Sequence, residues 1–259
     1  MTVQESPTGT TERSASSALY CYGVASSATG TVRAEGIGGA AVTAARFGDL
    51  AALTSPVDST HIRARRRDLL RHLDVLTDAL GDGTVLPLRF GAVFADEGDL
   101  VARLLEPRHD ELKELLRAYD GLVELSVKAF FEEEAVLREI VQENPRVARL
   151  REATSQGPEA ATRGARVELG ELVAAELQAR AGRSADGILK RLQPLSRAVD
   201  VDPEPLENQV LRAAFLVERG QMKAFDAAMD DLARSEAGRI RFKYLGPLPP
   251  HSFVSLEAQ

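Results

Sequence analysis

Four histidines and one cysteine carry most of the nucleophile, ligand and proton-transfer chemistry open to this sequence: His61, His72, His109, His251 and Cys21. A protein zinc site draws its ligands from short, fixed spacings, as in His-Glu-x-x-His on one helix face. None of the four histidines stands in such a pattern, so they read as surface or helix-face residues. Cys21 has no C-x-x-C partner, which excludes an internal disulfide framework and a paired-cysteine metal or redox motif. No Gly-x-Ser-x-Gly elbow supports a serine nucleophile. The carboxylates of "FFEEEA" and "MDDLA" fall in helical stretches, where acidic first turns complement the helix dipole. "GIGG" lacks the Lys-Ser/Thr that follows in a phosphate loop. No residue is assigned a catalytic, cofactor-binding or metal role.

Charge narrows the partners. Lys and Arg number 32 against 39 Asp and Glu, for a net charge of -7, and aromatics make up 5% with no tryptophan. A phosphate backbone selects basic surfaces and single strands select aromatic platforms, so nucleic acid is not an expected partner. The one basic run, "RARRRDLLRHL" (63–73), is interrupted by Asp68, with Asp74 and Asp78 following, and reads as a solvated helix face. No run approaches the roughly 20 apolar residues of a membrane span, and the start lacks the charged-then-apolar pattern of a signal peptide. With a single cysteine, this suits a soluble protein in a reducing cytosol.

The elements that must position any site follow from periodicity. Residues 1–18 show none and are expected to be a disordered tail. "LYCYGVAS" (19–26) and "AAVTAARF" (40–47) read as strands. Leu69, Leu73, Leu76 and Leu80 recur at helical spacing after Asp58 or Ser59, with Gly81 and Gly83 as stops. "TVLPLRFGAVF" (84–94) reads as a strand with Pro87 and Arg89 built into it. Proline donates no ladder bond, so Pro87 implies an edge strand or a bulge. A helix over 96–119 is expected to break at Pro107. "GLVELSVKAFF" (121–131) alternates apolar and polar residues and is the clearest half-buried strand.

Helical segments follow: one ended by Asn144-Pro145, "RVARLREA", roughly 158–182, and "ADGILKRLQPLSR". Then come a turn at Pro203–Pro205, a strand near 209–218, a helix with Met222, Phe225, Met229 and Leu232 as its core stripe, and a strand over 238–246. Gly246-Pro247 and Pro249-Pro250 are expected to end the sheet and favour extended chain. The fold class is α+β in two domains, the C-terminal one a modified ferredoxin-like fold with a helical insertion. The expected parts are 1–18 (tail), 19–120, 121–246 and the Pro-rich tail 247–259.

Three stretches carry a more specific pattern: "LYCYGV", "VLPLRFGAVFADEGDLVARLLEPRHDELKELLRAYDGLVELSVKAFF" and "RFKYLGPLPPHSFV". Together they resemble the gas vesicle protein F/L family, from about Leu19 to Leu256. The alanine- and arginine-rich segment 145–205 matches least. The resemblance implies two α+β domains, the second ferredoxin-like. It also implies a non-enzymatic protein without a cofactor, a minor vesicle component or early assembly factor that binds the small hydrophobic shell protein (GvpA-type), with other accessory gas vesicle proteins as further partners. The expected location is the cytoplasm and the gas vesicle.

The candidate partner-binding or interdomain residues are Pro87, Arg89, Phe90, Gly246, Pro247, Pro249, Pro250 and Phe253. Arg89 and Lys128 pairing with Asp96 or Glu124 is the plainer alternative, as is the tail packing on its own domains. A small-molecule-binding or enzymatic α+β protein is the rival reading. It requires a concave pocket with convergent polar groups and a perturbed titratable residue. A nucleic-acid module would need exposed aromatics on the sheet, for which only Phe242 and Tyr244 qualify.

Overall fold

The computed structural model describes residues 18–81, 83–156, 158–204, 206, 208–254 and 256. Of the expected tail, residues 1–17 lie outside the described residues, whereas Ala18 is buried and opens the first strand. Pro205 of the expected turn and residues 257–259 also lie outside them. The chain divides into two compact units, one of residues up to 81 with 88–114 and Leu256, the other of 83–87 with 115–254.

The first sheet forms around β1 (Ala18–Ser26), β2 (Thr43–Phe47) and β3 (Leu50–Val57). β2 and β3 make a hairpin closed at Phe47 and Leu50, leaving Gly48-Asp49 as the two-residue turn. Gly48 has φ +58 there, a conformation glycine adopts without steric cost. β3 pairs antiparallel with β1 from Ala18–Val57 to Ser26–Leu50. The sequence reading passed over β3 because all its residues except Pro56 are buried, so no polar alternation marks it. Apolar runs of that kind give no period-2 signal.

α1 (Arg66–Gly81) packs on β1. Its buried face is Asp68, His72, Val75, Leu76, Ala79 and Leu80. That differs from the expected leucine stripe: Leu69 is exposed and Leu73 half-buried. The helix also starts at Arg66 rather than Ser59. Its rotation is set by His72, which enters the core to meet Tyr20, so His72 is not the surface residue expected.

The segment 84–94 is not one strand. It is β4 (Val85–Pro87), a turn at Phe90-Gly91, and β5 (Val93–Phe94). Gly91 has φ +101, which lets the chain reverse there. The sheet order is β2-β3-β1-β4, with β5 pairing β1, so β4 stands at an end of that order, as Pro87 requires. α2 (Glu97–Leu100) is capped by Asp96, whose carboxylate accepts from the Asp99 N–H at 2.8 Å. A π-helical turn (Val101–Leu105) follows, the helix breaks around Pro107, and α3 spans His109–Ala118.

The second sheet comprises β6 (Leu122–Phe131), β7 (Ala198–Val201), β8 (Gln209–Glu218) and β9 (Ile240–Leu248), all antiparallel, in the order β7-β8-β6-β9. Between β6 and β7 run α4 (Glu133–Glu143), α5 (Pro145–Gln156) and α6 (Glu159–Leu192). Asn144 ends α4, and its carboxamide oxygen accepts from the Arg146 and Val147 N–H groups, capping α5 with Pro145 as first residue. α6 is one helix of 34 residues, not two segments. Its glycines cost roughly 0.5–1 kcal/mol each in propensity, and tertiary contacts offset that. Arg180, almost fully buried, reaches Glu143 of α4 at 2.8 Å. α7 (Met222–Ser235) lays Phe225, Met229 and Leu232 on the sheet. Phe225 meets Phe215 of β8 with ring centroids 5.2 Å apart.

Candidate partner-binding surfaces

In the first unit the candidate stretch is tied to an aromatic and hydroxyl cluster. The Leu88 N–H donates to the Tyr22 carbonyl at 2.9 Å. Phe90 is half-buried, 5.7 Å from the Tyr20 ring and 5.7 Å from the His72 ring. The Tyr20 hydroxyl accepts from the Gly91 N–H at 3.1 Å and shares a 2.9 Å hydrogen bond with His72 Nδ1. The Tyr22 hydroxyl accepts from the Ile37 N–H at 2.7 Å and bonds the Ser55 hydroxyl at 2.6 Å. Burial raises both phenols above their ordinary range and pushes the Cys21 thiol up to about 12. None of the three is poised to ionise near neutral pH. Arg89 is exposed, and its N–H donates to the Leu256 carbonyl at 3.1 Å, beside a parallel bridge between Leu88 and Leu256.

In the second unit the tail is built into the fold. β9 does not stop at Gly246-Pro247: an irregular register carries it from Leu245 opposite Ser126 to Leu248 opposite Glu124. Gly246 has φ +153, and a Cβ there would lie 2.5 Å from Leu125 Cδ2 and 3.1 Å from the Glu124 carbonyl oxygen. Only glycine lets the two backbones approach that closely. The Gly246-Pro247 peptide is cis. Pro249, Pro250 and Val254 are buried, Pro247 and Phe253 half-buried.

Two polar contacts hold this segment. Ser252 donates to Glu124 through its N–H at 2.7 Å and its hydroxyl at 3.0 Å, and the Tyr119 hydroxyl donates to the Phe253 carbonyl at 3.1 Å. Burial raises the Glu124 carboxyl, and the bonds from Ser252 oppose that shift. Glu124 therefore serves the tail, and Asp96 serves the α2 cap.

The eight candidates are divided between the two units. Arg89 and Phe90 belong to the first unit; Pro87, Gly246, Pro247, Pro249, Pro250 and Phe253 belong to the second. The sequence reading missed Tyr20, Tyr22, His72 and Glu124. The first two carried a signal, since "LYCYGV" puts two phenols on one strand face, and phenols inside a core seek partners.

Other chemistry stays at the surface. His109 Nε2 lies 2.7 Å from Asp49, and Lys113 lies 2.5 Å from the same carboxylate, whose pKa is lowered chiefly by Lys113. Among the described residues no group of three or more His, Cys, Asp or Glu is placed to hold a metal ion, and no helix is long and apolar enough to cross a membrane. Arg63, Arg65 and Arg67 are exposed along an open groove of about 550 Å³ that also holds Asp58 and Asp68.

These features define an α+β protein of two antiparallel sheets. The family described as "Gas vesicle synthesis protein GvpL/GvpF" matches residues 18–255, and the chain belongs to it. It is 40% identical to gas vesicle protein F of Streptomyces sp. (strain CB03234) over 208 residues, 80% of this chain and 85% of that one. It is 25% identical to gas vesicle protein F of Dolichospermum flosaquae over 93% of this chain and 98% of that one. The crystal structure of GvpF from Anabaena sp. PCC7120 superposes with a TM-score of 0.76 at 26% identity, covering 93% of this chain and 99% of that one. The match extends through 145–205, the segment with least resemblance in sequence.

Proposed function

We propose that this chain is a non-enzymatic gas vesicle assembly protein and minor vesicle component. It works in the cytoplasm and on the vesicle, and it binds the small hydrophobic shell protein during nucleation. The observation that carries the reading is the family match over 18–255, with relatives named gas vesicle proteins F and L. Physical chemistry supplies the rest. A hydrophobic subunit exposed before assembly is an aggregation hazard, and a soluble chain that covers its apolar surface removes it.

The architecture we assign to this role is two domains, 19–120 and 121–246, with 247–259 as a tail. The second is ferredoxin-like: helices join β6 to β7 and β8 to β9, and the order β7-β8-β6-β9 fits that fold. Arg89 and Phe90 are the candidate contact residues in the first domain. In the second, the candidates lie along the tail, where Phe253 stays half-exposed.

The test is co-purification from cells expressing this chain with the vesicle shell protein, using wild type, Arg89→Glu and Phe253→Ala. Retention of the shell protein by wild type, lost in a variant with unchanged thermal unfolding, supports the role and its surface. Retention by all three keeps the role and discards these residues. No retention by wild type overturns direct shell binding.

A further inference from the structure

The helical insertion carries an open apolar groove that belongs to none of the surfaces described above. On α4, Leu137 and Val141 stand one turn apart; on α6, Leu169 and Val173 do the same. All four line a groove of about 460 Å³ and remain half-buried. Val147 of α5, fully buried, lies beneath them. Two facing rows of apolar side chains at i and i+4 are the surface an amphipathic helix needs to lay its own stripe between.

The walls say what else the occupant carries. Arg138 of α4 and Arg151 of α5 line the groove, are exposed, and have no carboxylate partner among the described residues. Other arginines of this unit are paired: Arg146 with Glu168, Arg180 with Glu143, Arg239 with Glu139. In a chain of net charge -7, two unpaired guanidinium groups flanking an apolar trough select an acidic border on the bound segment. Glu134, at the same groove, disfavours a continuous polyanion such as nucleic acid.

We propose that the α4-α5-α6 groove binds one amphipathic helix of a partner protein, its leucine-like stripe between α4 and α6 and its carboxylates on Arg138 and Arg151. The proposal rests on the function above for the apolar character of that partner, and adds the surface and the form in which it is held.

The probe is a fluorescein-labelled peptide of about 15 residues, long enough to form a helix, with leucines at every third and fourth position and flanking glutamates. The comparison peptide carries lysines in place of the glutamates. Saturable binding of the glutamate peptide to the full chain is expected. Arg138→Glu combined with Arg151→Glu, both at exposed positions and checked for unchanged thermal unfolding, should weaken it at least tenfold and should gain the lysine peptide. Val173→Gln in the α6 row should weaken both peptides alike.

Absence of saturable binding, equal binding of the two peptides by wild type, or displacement by a single-stranded oligonucleotide would overturn the groove assignment. Peptide binding alongside failure to retain the shell protein would keep the groove and discard the shell protein as its occupant. Shell retention that survives the double charge reversal would do the opposite.

Discussion

The two sheets are joined to their helices by different chemistry. In the first unit α1 adds one buried directional bond, Tyr20 to His72, to an apolar face of Val75, Leu76, Ala79 and Leu80, with Tyr22 bonding Ser55 and the Ile37 N–H nearby. In the second, the buried contact of α7 with the sheet is made by rings, Phe215 against Phe225 at 5.2 Å and Phe225 stacked on Tyr244 at 6.0 Å, with Met229 and Leu232 alongside. Its directional bond, from the Tyr244 hydroxyl to the Asp226 carboxylate at 2.6 Å, lies at the exposed rim. Ring burial is non-directional and contributes more per side chain. Satisfied polar networks contribute less net energy but permit one geometry, and they penalise any partner left unpaired. The first unit should therefore lose register when broken, and the second should lose stability.

The sharpest break is Phe225→Ala. Phe225 is fully buried against Phe215, so truncation removes ring contacts and leaves a cavity. The expected loss is about 3–5 kcal/mol, read from urea midpoints at unchanged m-value. A loss below about 1 kcal/mol would mean the second unit does not depend on this packing. Next is Gly246→Ala, which forces a Cβ toward Leu125 and the Glu124 carbonyl at a φ that alanine resists. About 2–3 kcal/mol is expected from strain and overpacking together. Hydrogen exchange should show the loss concentrated at the β6–β9 pairing.

Tyr22→Phe tests the other side of the comparison. It keeps the ring and removes one oxygen, leaving the Ile37 N–H and the Ser55 hydroxyl without that partner. The expected cost is about 1–2 kcal/mol. Adding Ser55→Ala should recover part of it, because an apolar pair leaves one fewer unsatisfied group. A double variant as damaged as the sum of the singles would show that the two side chains do not act as a network.

How far this was legible in sequence depends on whether each signal was local. β6 shows in its alternation because one face is buried and most of the other half-buried. The break near Pro107 and the end of α4 at Asn144 show because those residues act on their own backbone. β3 lies among neighbours that bury nearly every side chain, so its marker was the Gly48-Asp49 turn rather than its own pattern. α6 reads in pieces because four glycines lower its propensity, whereas its continuity comes from contacts such as Arg180 with Glu143. His72 and Glu124 look like ordinary polar positions on a helix and a strand. Only the fold brings Tyr20 to the one and Ser252 to the other. The groove of the insertion is hidden for the same reason: its two apolar rows, Leu137 with Val141 and Leu169 with Val173, are far apart in sequence on different helices.

The smallest expected effect concerns Glu124, the one buried carboxylate that holds the tail. Burial raises its folded-state pKa, with Ser252 pulling the other way. A carboxyl whose folded pKa lies above its unfolded value of about 4.3 contributes stability that is full below the unfolded value. That contribution is lost as pH rises through the folded one. Glu124→Gln does not titrate and keeps an oxygen to accept from Ser252. The two proteins should therefore unfold within about 0.5 kcal/mol of each other near pH 4, and the glutamine variant should gain on wild type toward about pH 7.5. Paired urea titrations at those pH values measure the difference. If wild type instead gains with rising pH, the Ser252 bonds outweigh burial and the tail is held by charge. A difference flat in pH would mean the carboxyl is solvated, and the tail would then be held by the burial of Pro249, Pro250 and Val254 and by the Tyr119 bond to the Phe253 carbonyl.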